Sequence, residues 1–98
     1  MSQKYNEPGI MSRISDYITK TYTQHYSAKG TQVLDLLDAS ECVSDYLRGS
    51  AIKYLSRFGK KGGKNINDLF KAIHCTILLI FFEEKDDEEK KSKETPYA

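Results

Sequence analysis

The sequence predicts an all-α fold, a small bundle of three to four helices. Apolar residues recur at spacings of three and four along several stretches of the chain. Glycine-containing segments punctuate those stretches at Pro8-Gly9, Gly30 and Gly59–Gly63. The composition, 39% hydrophobic and 30% charged over 98 residues, is that of a folded rather than a disordered chain. A chain this short buries little core, so the bundle is expected to complete itself by oligomerising.

Residues 1–9 read as a flexible lead-in closed by Pro8-Gly9, residues 10–82 as one helical domain, and residues 83–98 as a charged tail. The first helical stripe is Ile10, Ile14, Tyr17, Ile18 and Tyr22, with threonines at 19, 21 and 23 weakening its end. Gln24–Lys29 reads as a connector closed by Gly30. A short helix over Thr31–Asp38 then turns Val33, Leu34 and Leu37 inward. Ser40 or Ser44 is expected to cap the next helix, which should span Asp45–Phe58 and stop at Gly59. Its apolar stripe is Leu47, Ala51, Tyr54, Leu55 and Phe58. Three glycines in the five residues 59–63 preclude a regular element there. Asn65 restarts a helix as N-cap, with Asp68 in its first turn. The stripe Ile66, Leu69, Phe70, Ile73, Ile77 and Phe81 follows. Ile77–Phe82 is apolar all round, so the bundle core or a second subunit must enclose it, and the subunit is favoured for so small a chain. Glu83–Glu94 is mixed in sign and either extends this helix through solvent or frays.

Charge and cysteine usage narrow the function classes. The net charge of +1 gives the whole chain no nucleic-acid signature. Cys42 and Cys75 are too isolated for a zinc site or a disulfide framework and read as small buried side chains in a reducing compartment. No metal site is expected. An apolar signal core is lacking near the N-terminus, and the run 77–82 is too short to span a bilayer, so a cytosolic protein without a membrane partner is expected.

The positive charge is concentrated in Arg48–Lys71. Gly49, Lys53, Arg57 and Lys60 lie three and four residues apart, one stripe along a helix. Lys60, Lys61 and Lys64 continue it through the glycine loop to the next helix start, where unpaired N–H groups and the helix dipole favour an anion. On charge alone, a solvated lysine loop and a phosphate site weigh equally. Gly49 favours the site, because a glycine in a helix costs about 1 kcal/mol relative to alanine. Close approach of a backbone or ligand explains it, as does tight helix packing. The loop is not a Walker A motif, since Asn65 follows Gly63-Lys64 where serine or threonine is needed. His25 and Tyr26 offer a phosphate donor and a stacking ring, against a purely structural role. His74 reads as a packed or interfacial residue, and Tyr46 and Tyr54 as core or core-edge. No catalytic triad, H-E-x-x-H or paired-carboxylate signature is present, so no catalytic residue is assigned.

These motifs also carry a resemblance. His25-Tyr26, Gly30, Val33–Leu37, Gly49-Ser50-Ala51-Ile52-Lys53-Tyr54 with Arg57, Lys61-Gly62-Gly63 and Asp68-Leu69-Phe70-Lys71-Ala72 occur in that order. The pattern resembles a family of short bacteriophage proteins described either as a domain of unknown function or as nucleotide kinase-like, over roughly residues 24–80. The resemblance implies a helical fold, action in the cytoplasm of an infected bacterium, and a nucleoside monophosphate as ligand or substrate. It places His25, Tyr26, Lys53, Arg57, Asp68 and Lys71 in the family's polar site. Ser50 replaces the family's usual asparagine, and Gln32 an acidic residue, which bears on catalysis more than on binding.

Two functions follow as expectations. The first is a phage-encoded nucleotide- or phosphate-binding protein, extending to a kinase of deoxynucleoside monophosphates that would use ATP and Mg2+ as cofactors. The second is a non-catalytic effector that binds RNA or sequesters a nucleotide signal to counter a host defence. The expected ligand-binding residues are His25, Tyr26, Gly49, Ser50, Lys53, Arg57, Lys60, Lys61, Lys64, Asp68 and Lys71. The expected partners are a nucleotide or RNA, a second copy through the Ile77–Phe82 helix, and a host defence protein.

Overall fold

The computed structural model describes residues 4–24, 28–60 and 62–93, with the backbone alone for 22–24, 28–32 and 91–93. Four helices occupy these residues: α1 (Glu7–Gln24), α2 (Ala28–Ala39), α3 (Val43–Arg57) and α4 (Ile66–Lys93). No strand occurs among the described residues, so the all-α expectation holds. The chain divides into two compact units, Met1–Leu36 and Leu37–Ala98.

In the first unit, α1 begins earlier than Pro8-Gly9 suggests. Pro8 sits in the first turn, where its missing N–H would have no intrahelical partner anyway. The Asn6 side chain lies against Gly9, whose missing Cβ would come within 2.6 Å of the Asn6 amide oxygen. A side chain at position 9 would have to displace the exposed Asn6 amide. The helix also outlasts its threonines: the hydroxyls of Thr19 and Thr21 donate to the carbonyls of Ser15 and Tyr17, one turn back. Ile14 is buried, Tyr17 and Ile18 are half-buried, and Ile10 is exposed. Helix α2 starts at Ala28 and carries Gly30 inside it, so the connector is shorter than expected.

The second unit is built on α3 packed against α4. Helix α2 ends in a left-handed turn at Glu41 (φ 61°), where the N–H groups of Glu41 and Cys42 donate to the carbonyls of Asp38 and Leu37. This closure delivers Cys42 to the N-cap position of α3 without a side-chain cap. Neither Ser40 nor Ser44 therefore caps that helix: Ser40 belongs to the turn, and Ser44 is already inside α3. Val43, Leu47, Ala72 and Phe82 are the buried apolar residues of this unit among those described. Cys42 and Cys75 are half-buried rather than enclosed. Lys85 donates to Asp38 at 2.7 Å and its ammonium lies 5.8 Å from the Phe82 ring, joining the end of α2 to α4. Residues 83–93 continue α4 as helix, the first of the two alternatives for the charged segment.

Glu41 pays for its backbone conformation, because a side chain in the left-handed region costs roughly 1 kcal/mol or more. Glu41→Gly is expected to raise unfolding free energy by about 0.5–1 kcal/mol, read from urea denaturation. An unchanged or lowered midpoint would show that the turn is not strained.

His74 is 5% exposed, and burial lowers its pKa below the ordinary imidazole value. The unfolded chain takes up a proton at about pH 6.5 that the folded chain accepts only at lower pH. The associated stability is present above that pH and is lost as pH falls through the lowered folded value. The denaturation midpoint should therefore be lower at pH 5.5 than at pH 7.5, and His74→Leu should flatten that difference. Equal midpoints for the native chain would contradict this role.

Candidate functional site

The turn between α3 and α4 sets the site. Gly59, Gly62 and Gly63 adopt φ of 85°, 69° and 77°, which side chains resist. The Gly59 N–H donates to the Gly63 carbonyl at 3.0 Å, and the Asn65 N–H reaches the same carbonyl at 3.1 Å. The loop is therefore a hydrogen-bonded turn rather than a free tether. Asn65 then caps α4, its Oδ1 accepting the Asn67 N–H at 3.0 Å and its carbonyl accepting the Asp68 N–H at 3.0 Å. Two donors of the α4 start are thus already used, leaving the helix terminus less able to hold an outside anion than the sequence suggests.

The turn brings the end of α3 beside the start of α4. Asp68 is buried, and its Oδ1 lies 3.9 Å from Arg57 Nε. One turn deeper, three cations surround one aromatic ring. Lys53 Nζ, Lys71 Nζ and Arg57 Cζ lie 4.8, 5.4 and 6.0 Å from the centroid of Tyr54. Each falls within reach of the ring's negative face. Tyr54 is half-buried, which places it at the core edge as expected, whereas Tyr46 is exposed. The ring holds Lys53, Arg57 and Lys71 on one edge of the helix pair, while the one carboxylate of the group, Asp68, is turned into the interior. Cys75 adjoins this edge: burial pushes its thiol pKa up, and the charge of Lys53 opposes that shift more weakly. It is therefore held as a thiol, not as a nucleophilic thiolate.

The structure thus brings together four of the expected site residues, Lys53, Arg57, Asp68 and Lys71. Gly49 and Ser50 precede them by one turn of α3, Gly49 exposed and Ser50 half-buried. Lys60 and Lys64 stand exposed in the loop. His25, Tyr26 and Lys61 lie outside the described residues. The sequence puts Tyr54 on the apolar stripe and also beside the basic one, as a ring for stacking. Its signal was Arg57 three residues on, a spacing that places that cation beside the ring on the helix surface. Among the described residues, no three histidine, cysteine or carboxylate side chains stand close enough to hold a metal ion.

Gly49 separates the two explanations offered for it. A Cβ built there meets nothing within 4 Å, so helix packing does not require glycine. Gly49→Ala is expected to raise unfolding free energy by about 1 kcal/mol while weakening capture of a phosphate ligand that rests on the bare backbone. Chemical denaturation and calorimetry on the same variant separate the two effects. A variant that is more stable and binds unchanged would remove Gly49 from the site.

Within the described residues, no helix is long and apolar enough to cross a membrane. No curated protein and no solved structure matches the chain. Residues 20–75, which hold α3, the glycine turn and the first part of α4, match a family described as a protein of unknown function, DUF3310. That match spans more than half of the 98 residues, and the chain belongs to the DUF3310 family.

Proposed function

We propose that the protein binds a phosphate-bearing nucleotide at the edge of the α3–α4 pair, with Lys53, Arg57 and Lys71 as the anion-binding side chains. The observation that carries this reading is their convergence on Tyr54 from two helices, three cations against one inward-facing carboxylate. Like charges held this close repel one another, and an anion of two or more charges relieves the repulsion. Arg57 supplies a planar fork suited to phosphate oxygens, and the two lysines supply mobile point charges. The Tyr54 face is already attended by cations, so phosphate rather than base stacking is the feature recognised there.

Phosphoryl transfer between nucleotides is the finer reading. It asks the same cations to neutralise the transferring group, since that chemistry depends chiefly on positioning and charge stabilisation. An RNA ligand would instead use the exposed Lys60 and Lys64 as a continuation of the positive surface. Binding would then fall steeply with salt, because each phosphate contact releases counterions.

The test is titration calorimetry of the full chain with deoxynucleoside monophosphates, with ATP and with a short single-stranded RNA, at two salt concentrations. The clean variant is Lys53→Ala with Lys71→Ala, because removing Arg57 would also leave Asp68 buried without its cation. Losing two charge-assisted contacts of roughly 1.5–3 kcal/mol each predicts a fall in mononucleotide affinity of about a hundredfold or more. Helical circular dichroism should be unchanged. Native affinity in the double variant would overturn the assignment. Binding of RNA alone, collapsing at higher salt, would replace the nucleotide with a polymer.

A further inference from the structure

We propose that the outer face of α4 is the surface through which two copies of this chain pair, with their α4 helices antiparallel. Ile66, Ile73, Ile77 and Ile80 recur at intervals of seven, four and three, so they lie on one narrow stripe of the helix. They are exposed by 46%, 37%, 42% and 52%, and Phe81 beside them by 58%. The opposite face of α4, carrying Asp68, Ala72 and Phe82, is buried. The stripe is thus a second apolar face, about 21 Å long at 1.5 Å per residue. Isolated exposed isoleucines are ordinary on a protein surface, but a continuous seam of them marks an interaction surface.

Charge identifies the occupant. Exposed Lys60 and Lys64 stand in the turn before the stripe, and exposed Glu84, Asp87 and Glu88 continue the same face of α4 after it. The face is therefore basic at one end, apolar in the middle and acidic at the other. Such a pattern is complementary to itself when reversed. With Ile73 opposite Ile73 of the second copy, residue 66 faces residue 80, and the acidic end of each α4 runs towards the other copy's glycine turn. A parallel pairing would set Glu84, Asp87 and Glu88 against their own counterparts, a repulsion that selects against it. The pairing also gives Lys60 and Lys64 a role apart from the phosphate site, which keeps Lys53, Arg57 and Lys71.

Sedimentation velocity of the full chain across a concentration series tests the proposal without reference to any ligand. A dimer is expected, with Ile77→Lys raising its dissociation constant at least about tenfold while helical circular dichroism persists. Ile80→Lys repeats the test should Ile77→Lys unfold. Lys60→Glu with Lys64→Glu should weaken the dimer, and adding Glu84→Lys and Asp87→Lys should restore it. A monomer at all concentrations would overturn the proposal, as would a dimer indifferent to both isoleucine variants. A dimer broken by Ile77→Lys but untouched by the charge reversals would overturn the antiparallel arrangement. Loss of nucleotide binding with the dimer intact would count against the phosphate site alone.

Discussion

Asp68 is buried at the start of α4, and Arg57 at the end of α3 is the cation that answers it. A buried carboxylate is costly unless charge and dipole compensate it, and here the compensation comes from the guanidinium and from the helix start on which it sits. That arrangement fixes the two helix ends together and so dictates how tightly the chain must turn between them. Gly59, Gly62 and Gly63 supply the left-handed backbone this turn needs, and Asn65 closes it. The convergence of Lys53 and Lys71 on Tyr54 is a consequence one turn further along the same helix pair. The pair at the base is structural, and the cations above it gain their positions from it.

The positive edge and the apolar seam occupy different faces of α4. Its inner face packs on α3, one edge carries Lys71, and its outer face carries the isoleucines. The all-round apolar composition of 77–82 divides between two sides: Phe82 turns inward while Phe81, its edge-to-face neighbour at 5.1 Å, turns outward.

Much of this was legible in the residues. Helix periodicity located α3 and α4, Gly59 marked the end of one, and Asn65 marked the start of the other, because caps and stripes act within a few residues. The extent of α1 and α2 was less legible. Pro8, Gly9 and Gly30 are ordinary breakers, yet a proline in a first turn loses no hydrogen bond, and the Asn6 carbonyl accepts the Ile10 N–H to start the helix ahead of them. The capping serines were misassigned for a related reason: the closure of α2 at Glu41 decides where α3 begins, and a glutamate carries no signal for a left-handed turn. Lys53, Arg57 and Lys71 were named from charge and resemblance. Arg57 lies beside Tyr54 by spacing within α3, whereas the approach of Lys71 emerged only from helix pairing, since it depends on which residue of α4 lies across from which of α3.

The locality of the α3–α4 contacts bears on the order in which the chain acquires its structure. Arg57 and Asp68 are eleven residues apart, whereas Lys85 and Asp38, which tie α2 to the same helix, are forty-seven apart. Closing the longer loop costs about 1.3 kcal/mol more chain entropy than closing the shorter one. The helical hairpin that presents the cations is thus the element favoured to form early, before the rest of the second unit docks on it. A nascent chain would hold its positive edge as soon as residue 71 is free to fold back.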